Sequence, residues 1–167
     1  IVRYGNVMFS RGSVIPLFLE QKNNGTLSIT DTRMTRFNIS LQDSVKMVLW
    51  AINNSIGGEI FIPKIPSYKI TDLAEAISPG CKQYIIGIRP GEKIHEEMIS
   101  SQDAAHTVDL GDYYAILPSI SDYTVQEYCK LKKGNPVPSE FSYNSFTNPL
   151  YLSIAELRTL IMKHVSS

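Results

Sequence analysis

The sequence predicts an α/β fold, and three observations carry that reading. Short runs of β-branched and aromatic residues alternate along the chain with longer segments whose apolar residues recur at helical spacing. Two of the longer segments open on a capping pattern, Ser40-Leu41-Gln42-Asp43 and Ser153-Ile154-Ala155-Glu156, in which a hydroxyl and a carboxylate three residues on satisfy orphan backbone amides. Turn-forming pairs, Asn24-Gly25 and Gly57-Gly58, stand where the helical patterns run out.

The elements follow in order. Ile1-Val2-Arg3-Tyr4-Gly5-Asn6-Val7 reads as an apolar strand entered with no methionine and no lead-in, so the polypeptide is expected to be a fragment. Phe9 to Ser13 is a polar turn; Ser13 is the candidate N-cap of a helix with Pro16 in its first turn, reaching about Gln21. Thr26 to Ile29 and Thr35 to Ile39 are β-prone. The helix that Ser40 opens is expected to bury a stripe of Val45, Val48, Leu49 and Ile52. Glu59 to Ile62 reads as a strand, Thr71 as the cap of a short helix to about Ile77, and Tyr84 to Ile88 as the next strand. His95 and Glu96 fall on an expected helix beyond it, and Lys64 and Lys69, around a proline-rich turn, read as solvated. Gly111 to Leu117 gives one more strand. From there to Pro149 the chain is polar and rich in Tyr and Pro, which predicts a surface-hugging tail packed on another subunit or on the body of the protein. Ile154, Leu157, Leu160 and Ile161 then define a terminal helix, up to His164, that docks.

Composition narrows the function. With 167 residues, 43% of them hydrophobic, the chain can bury one core and is short for two ordinary domains. Lys and Arg balance Asp and Glu at 16 each, so no broad field exists to hold nucleic acid or an anionic membrane, and neither is an expected partner. An anion must be met by a local site. Cys81 and Cys129 show no metal-ligand spacing and no disulfide framework, which points to a reducing, cytoplasmic setting. No apolar run approaches the roughly 20 residues that cross a bilayer.

Two arginine-centred strings are candidates for that local site: Thr32-Arg33-Met34-Thr35-Arg36-Phe37 and Ile88-Arg89-Pro90-Gly91-Glu92-Lys93-Ile94-His95-Glu96. A guanidinium matches the planar, charged face of a diphosphate, and a nearby carboxylate can accept from ribose hydroxyls. Read without further context, Arg36 is a surface arginine that would pair with Asp31 or Asp43. Glu92 could equally be a helix-start carboxylate, Asn6 a turn former, and Ser13 a simple cap.

These strings, together with Arg3-Tyr4-Gly5-Asn6-Val7, Ser10-Arg11-Gly12-Ser13-Val14-Ile15-Pro16, Gly58-Glu59-Ile60-Phe61-Ile62-Pro63 and Phe141-Ser142-Tyr143-Asn144-Ser145, occur in an order that resembles the UDP-N-acetylglucosamine 4,6-dehydratases of the extended short-chain dehydrogenase/reductase superfamily. The similarity is to the 5-inverting, pseudaminic acid type, CapD-like polysaccharide biosynthesis proteins, and covers nearly all of the chain. It implies the C-terminal, substrate-binding part of a Rossmann-type enzyme: residues 1–117 for the substrate-binding half and 118–167 for an extension with a docking helix. The N-terminal dinucleotide-binding half, with its NADP (or NAD) and its catalytic Tyr-x-x-x-Lys pair, is then expected upstream of Ile1. No Gly-x-x-Gly-x-x-Gly turn occurs here. Tyr128-x-x-x-Lys132 has the catalytic spacing but stands in the wrong half and reads as a decoy.

The resemblance further implies UDP-N-acetylglucosamine as ligand, with Asn6, Ser13, Val14, Arg36, Arg89 and Glu92 contributing to its site, Arg36 first among them, and a homo-oligomeric enzyme. Arg33 and Thr35 rank below Arg36 because strand alternation turns neighbours to opposite faces. His95 and Glu96 are assigned a structural or rim role. Two other readings stay open: a related capsule-type dehydratase or epimerase, and a non-catalytic nucleotide-sugar-binding or association fragment. A fragment of this kind, with open strand edges, is expected to associate or aggregate.

Overall fold

A computed structural model describes residues 1–165. Its strands are β1 (Asn6–Val7), β2 (Thr26–Ile29), β3 (Thr35–Ile39), β4 (Ile60–Pro63), β5 (Ser67–Lys69), β6 (Lys82–Ile85), β7 (Glu97–Ile99), β8 (Thr107–Asp109), β9 (Tyr113–Ile116), β10 (Asn135–Pro136) and β11 (Tyr143–Asn144). Its helices are α1 (Val14–Gln21), α2 (Leu41–Asn54), α3 (Ile70–Ile77), α4 (Val125–Lys132) and α5 (Ile154–Val165). The chain forms two compact units, each assembled from three stretches: 1–5, 39–65 and 97–144 in the first, and 6–38, 66–96 and 145 onward in the second. The boundary expected at 117/118 was drawn by role and coincides with none of the crossings between these units.

The first unit is built on the sheet β10-β8-β9-β4, antiparallel throughout. Of the expected strand Ile1 to Val7, only Val2 joins this unit's sheet, as a parallel bridge to Phe61, while Asn6–Val7 pairs with β3 instead. The break falls at Tyr4-Gly5, where a glycine weakens strand pairing. Helix α2 starts as expected, with the Ser40 hydroxyl accepting from the Asp43 amide at 3.0 Å. Its buried face is not the expected one. Val45, Leu49 and Ile52 are 51%, 57% and 70% exposed, and Ser44, Met47 and Ala51 are buried instead. Small Ser44 and Ala51 let the helix come close while Met47 packs with Phe61, Val108 and Ala115. Trp50, beside them, stacks on Tyr113 with ring centroids 4.0 Å apart.

The expected tail after residue 117 is a second correction. It contains α4, opened by a full capping box between Thr124 and Glu127, and it carries core residues: Tyr128 and Tyr143 are 1% and 5% exposed. The Tyr143 hydroxyl donates to the Ile65 carbonyl and accepts from the Ile65 amide, so these tyrosines close their own unit. Gly134, after α4, passes so close to β8 that a Cβ there would sit 2.7 Å from the Asp109 carbonyl oxygen. Lys64 is not solvated either. Its Nζ lies 2.7 Å from the Asp109 carboxylate and 4.6 Å over the Tyr114 ring.

The second unit combines the parallel pair β2–β6 with the sheet β1-β3-β5. Its core joins Ile15 and Phe18 of α1, Leu27 and Ile29 of β2, Leu73 and Ala74 of α3, and Leu157 and Ile161 of α5. The terminal helix docks as expected, with Ser153 and Glu156 capping each other's amides. Helix α3 begins at Ile70, so Thr71 lies inside it and caps nothing. Strand β6 starts and ends earlier than expected, and residues 86–96 form a loop with no helix, which removes the helix-start alternative for Glu92 and the helical setting of His95 and Glu96. Parallel pairing and interleaved helices make this the α/β, Rossmann-type class that the sequence predicts.

Candidate functional site

In the second unit, the N-terminus of α1, the end of β2, β3 and the loop after β6 surround a cavity of about 430 Å³. All six residues expected from sequence line it: Asn6, Ser13, Val14, Arg36, Arg89 and Glu92. Such a volume lies within the range of small-molecule sites.

Two successive turns bring the chain from β1 to α1, the Ser10 amide donating to the Val7 carbonyl and the Ser13 amide to that of Ser10. Ser13 takes up the extended N-cap conformation, but its hydroxyl caps no amide. Its Oγ is buried with no partner. Val14 and Ile15 begin the helix with amides that have no intrahelical acceptor, and Pro16 has no amide. The start of α1 therefore presents one unused hydroxyl and unused N–H donors at the positive end of a helix dipole, a setting suited to an anion.

On the other side, Arg89 to Glu92 form a turn in which the Glu92 amide donates to the Arg89 carbonyl at 3.0 Å. Pro90 and Gly91 occupy the positions that a type II turn assigns to them, and Gly91 has φ +82° as that turn requires. The Glu92 carboxylate accepts from the Arg89 amide. The Arg89 guanidinium is exposed and has no side-chain partner among the described residues. Arg11 is in the same state, and it lines the same cavity. Arg11 is a site residue that the sequence reading passed over; the signal was its place one residue before the Gly12-Ser13 helix entry.

Arg36 pairs with neither Asp31 nor Asp43. Nη1 donates to the carbonyls of Thr35 and Ile94, and Nη2 to that of Lys93. Asp31 is taken by Arg33, whose guanidinium holds that carboxyl down to about 2. Thr35 is buried, its hydroxyl 2.8 Å from His95 Nδ1 and 2.7 Å from Ser145 Oγ, and His95 stacks on Phe146. Burial and then the Glu96 charge push the Tyr68 hydroxyl up to about 12, while Arg36 and Asn6 act to lower it.

Burial raises the Glu96 carboxyl above the usual carboxylate range, although the Phe37 amide, 2.7 Å from Oε2, and the Arg36 charge both favour its ionised form. A folded-state value above the unfolded one means that the folded state holds the proton more tightly. Stability from this group is present at low pH and is lost as pH rises through the raised value. Glu96→Gln is therefore expected to flatten the fall in urea midpoint as pH rises above the ordinary glutamate value of about 4; parallel wild-type and variant profiles would refute the assignment.

The Tyr128-x-x-x-Lys132 pair is excluded as a catalytic pair by its surroundings. The Tyr128 hydroxyl donates to Glu59, and burial followed by that carboxylate pushes its ionisation upward, opposite to what a tyrosine base requires. Lys132 donates to the Asn54 carbonyl. Among the described residues, no group of three or more His, Cys, Asp or Glu could hold a metal ion, and no helix is long and apolar enough to cross a membrane.

The UDP-N-acetylglucosamine 4,6-dehydratase (inverting) of Campylobacter jejuni is 52% identical over 96% of this chain and 50% of its own length. A protein named UDP-glucose 4-epimerase from Rickettsia felis is 41% identical over 97% of the chain and 48% of its own length. The X-ray structure of Pen from Bacillus thuringiensis superposes with a TM-score of 0.81 at 34% identity, covering 98% of this chain and 49% of that one. The chain thus spans about half the length of these relatives. Residues 1–118 match the family described as polysaccharide biosynthesis protein, and the chain belongs to that family.

Proposed function

We propose that this chain is the UDP-sugar-binding part of a UDP-N-acetylglucosamine 4,6-dehydratase that inverts C5 and makes a UDP 6-deoxy-4-keto-hexosamine for pseudaminic acid or surface polysaccharide synthesis. The observation that carries the reading is the cavity where a helix N-terminus with an unpartnered Ser13 hydroxyl faces Arg11 and Arg89. In this reading Ser13, Val14, Arg11 and Arg89 meet the diphosphate, Glu92 accepts from the ribose, and Asn6 and Arg36 complete the wall. Residues 1–117 carry the substrate and 118–167 are the extension.

The described residues do not fit a dinucleotide, since the turn entering α1 carries Gly12 alone rather than a glycine-rich cradle. NADP, or NAD, is assigned in this reading mainly to an N-terminal half outside the chain, and the catalytic groups to that half as well. What this chain contributes is binding energy from a non-reacting UDP, which holds the hexose in register and so raises the rate of the chemical steps as well as affinity. The enzyme is taken to be cytoplasmic and to associate with its own copies, and the exposed face of α2 around Val45, Leu49 and Ile52 offers an apolar surface for this.

The test is to express the natural reading frame and follow UDP-N-acetylglucosamine by proton NMR. A 6-deoxy-4-keto sugar with inverted C5 is expected. Retained C5, or a product that keeps its C6 hydroxyl, would favour the dehydratase or epimerase alternative, to which the Rickettsia relative's name also points. UDP binding without turnover would favour the non-catalytic module. In the same protein, Arg89→Ala is expected to weaken UDP by about tenfold to a hundredfold, the loss of a charged hydrogen bond. Unchanged affinity by calorimetry would remove this cavity from consideration.

A further inference from the structure

The connector from β1 to α1 brings Arg11 and Ser13 to the cavity, and one residue in it holds a backbone conformation that its side chain disfavours. Phe9 has φ +61°. It is the third residue of the turn that the Ser10 amide closes on the Val7 carbonyl at 3.2 Å. A positive φ at that position alone is the type II pattern, which favours glycine or asparagine. Among the described residues one other non-glycine residue has a positive φ, Lys133, and it ends α4, where the left-handed region is routine. Phe9 ends no helix. For a bulky side chain such a backbone is an outlier, and it persists only where the surroundings over-determine it.

Helix α5 supplies that constraint. Leu157 and Ile161 turn into the core of the second unit, and His164, three residues beyond Ile161, continues their stripe into the last turn. Its ring stacks on Phe9 with centroids 3.7 Å apart and planes 13° from parallel. Phe9 also packs against the core cluster itself. A second turn, the Ser13 amide on the Ser10 carbonyl at 3.0 Å, follows at once, so the backbone direction at Phe9 sets where Arg11 and the start of α1 lie. We propose that Phe9 and His164 are positioning residues: their stack pins the left-handed backbone at Phe9 and thereby fixes Arg11 and Ser13 at the cavity. This rests on the reading of the cavity as a UDP site. It gives the terminal helix a part in ligand binding although none of its residues lines the cavity.

Two substitutions separate the ring from the backbone it enforces. Phe9→Gly removes the ring but reaches a positive φ at no steric cost, whereas Phe9→Ala removes the ring and keeps that cost. In calorimetry on the complete native polypeptide, His164→Ala and Phe9→Ala are each expected to weaken UDP about tenfold, the scale of a lost ring stack, and Phe9→Gly by less than about threefold. Adding His164→Ala to Phe9→Gly is expected to cost nothing further, because no ring is left to hold. Uridine is expected to bind every variant as it binds the wild type. Wild-type UDP affinity in His164→Ala and Phe9→Ala, equal losses in Phe9→Gly and Phe9→Ala, or equal weakening of uridine overturns the proposal. Hydrogen exchange without ligand supplies an independent readout: in His164→Ala and Phe9→Ala the Ser10 and Ser13 amides are expected to exchange about tenfold faster, with Leu73 and Ala74 in the core unchanged. Unchanged exchange at Ser10 and Ser13 overturns it as well. Failure of the wild type to bind UDP would refute the UDP reading, while the exchange result would still decide whether the stack holds the turn.

Discussion

Glu59→Leu is expected to cost about 3–5 kcal/mol in unfolding free energy, the range for leaving buried polar partners uncompensated. Glu59 is 1% exposed. Its carboxylate accepts from the Ser55 hydroxyl and the Gly57 amide at 2.8 Å, from the Ile56 amide at 2.9 Å, and from the Tyr128 hydroxyl. One side chain therefore organises the turn leaving α2 and anchors α4. Burial alone would raise its carboxyl, but the amide and hydroxyl donors outweigh it and hold the value below the usual range. The sign of the pH effect follows: the stability that Glu59 contributes is present above the ordinary glutamate range and is lost as pH falls through the lowered folded value. Glu59→Gln, which keeps two acceptor sites, is expected to lose less than the leucine variant. A leucine variant within about 1 kcal/mol of wild type in urea would show that the turn is held by other contacts.

Leu157→Ala is expected to destabilise by about 2–5 kcal/mol, the range for truncating a fully buried leucine. Leu157 is 0% exposed and packs in the core that α1, β2 and α3 share. Its loss reports on whether the terminal helix is part of one cooperative core. Urea unfolding followed by circular dichroism should show a single shifted transition; an unchanged midpoint with local fraying of α5 would mean that the helix adds little.

The two capping boxes at Ser40 and Ser153 were legible because capping is a local interaction, complete within four residues. The strands from Thr26 and Thr35 were legible because their patterns are short and bounded. The phase of α2 was not. A periodicity count favours Val45, Leu49 and Ile52 because it scores hydrophobicity, whereas close approach to the sheet selected Ser44 and Ala51 for their size. Helix α4 was hidden by composition: its Thr124 and Glu127 form the same box as Ser153 and Glu156, but tyrosines and lysines nearby masked an apolar stripe that Tyr128 largely supplies. At the site, residue type and order picked out the lining side chains, while the state of the Arg36 fork was decided by backbone carbonyls from residues 93 and 94. Such partners are set by loop geometry and leave no mark in residue identity.

The interleaving of the two units constrains how the molecule can be made and altered. The chain passes between them after residues 5, 38, 65, 96 and 144, so no single cut releases either one whole. During synthesis the first stretches must wait for residues 97–144, and then for those beyond, before either core can close, and such long sequence separations slow folding. Recombination that swaps a contiguous block would damage both units at once. The cavity of the second unit and the sheet of the first are thus inherited as one piece, and change in either must come by point substitution or by replacement of the whole chain.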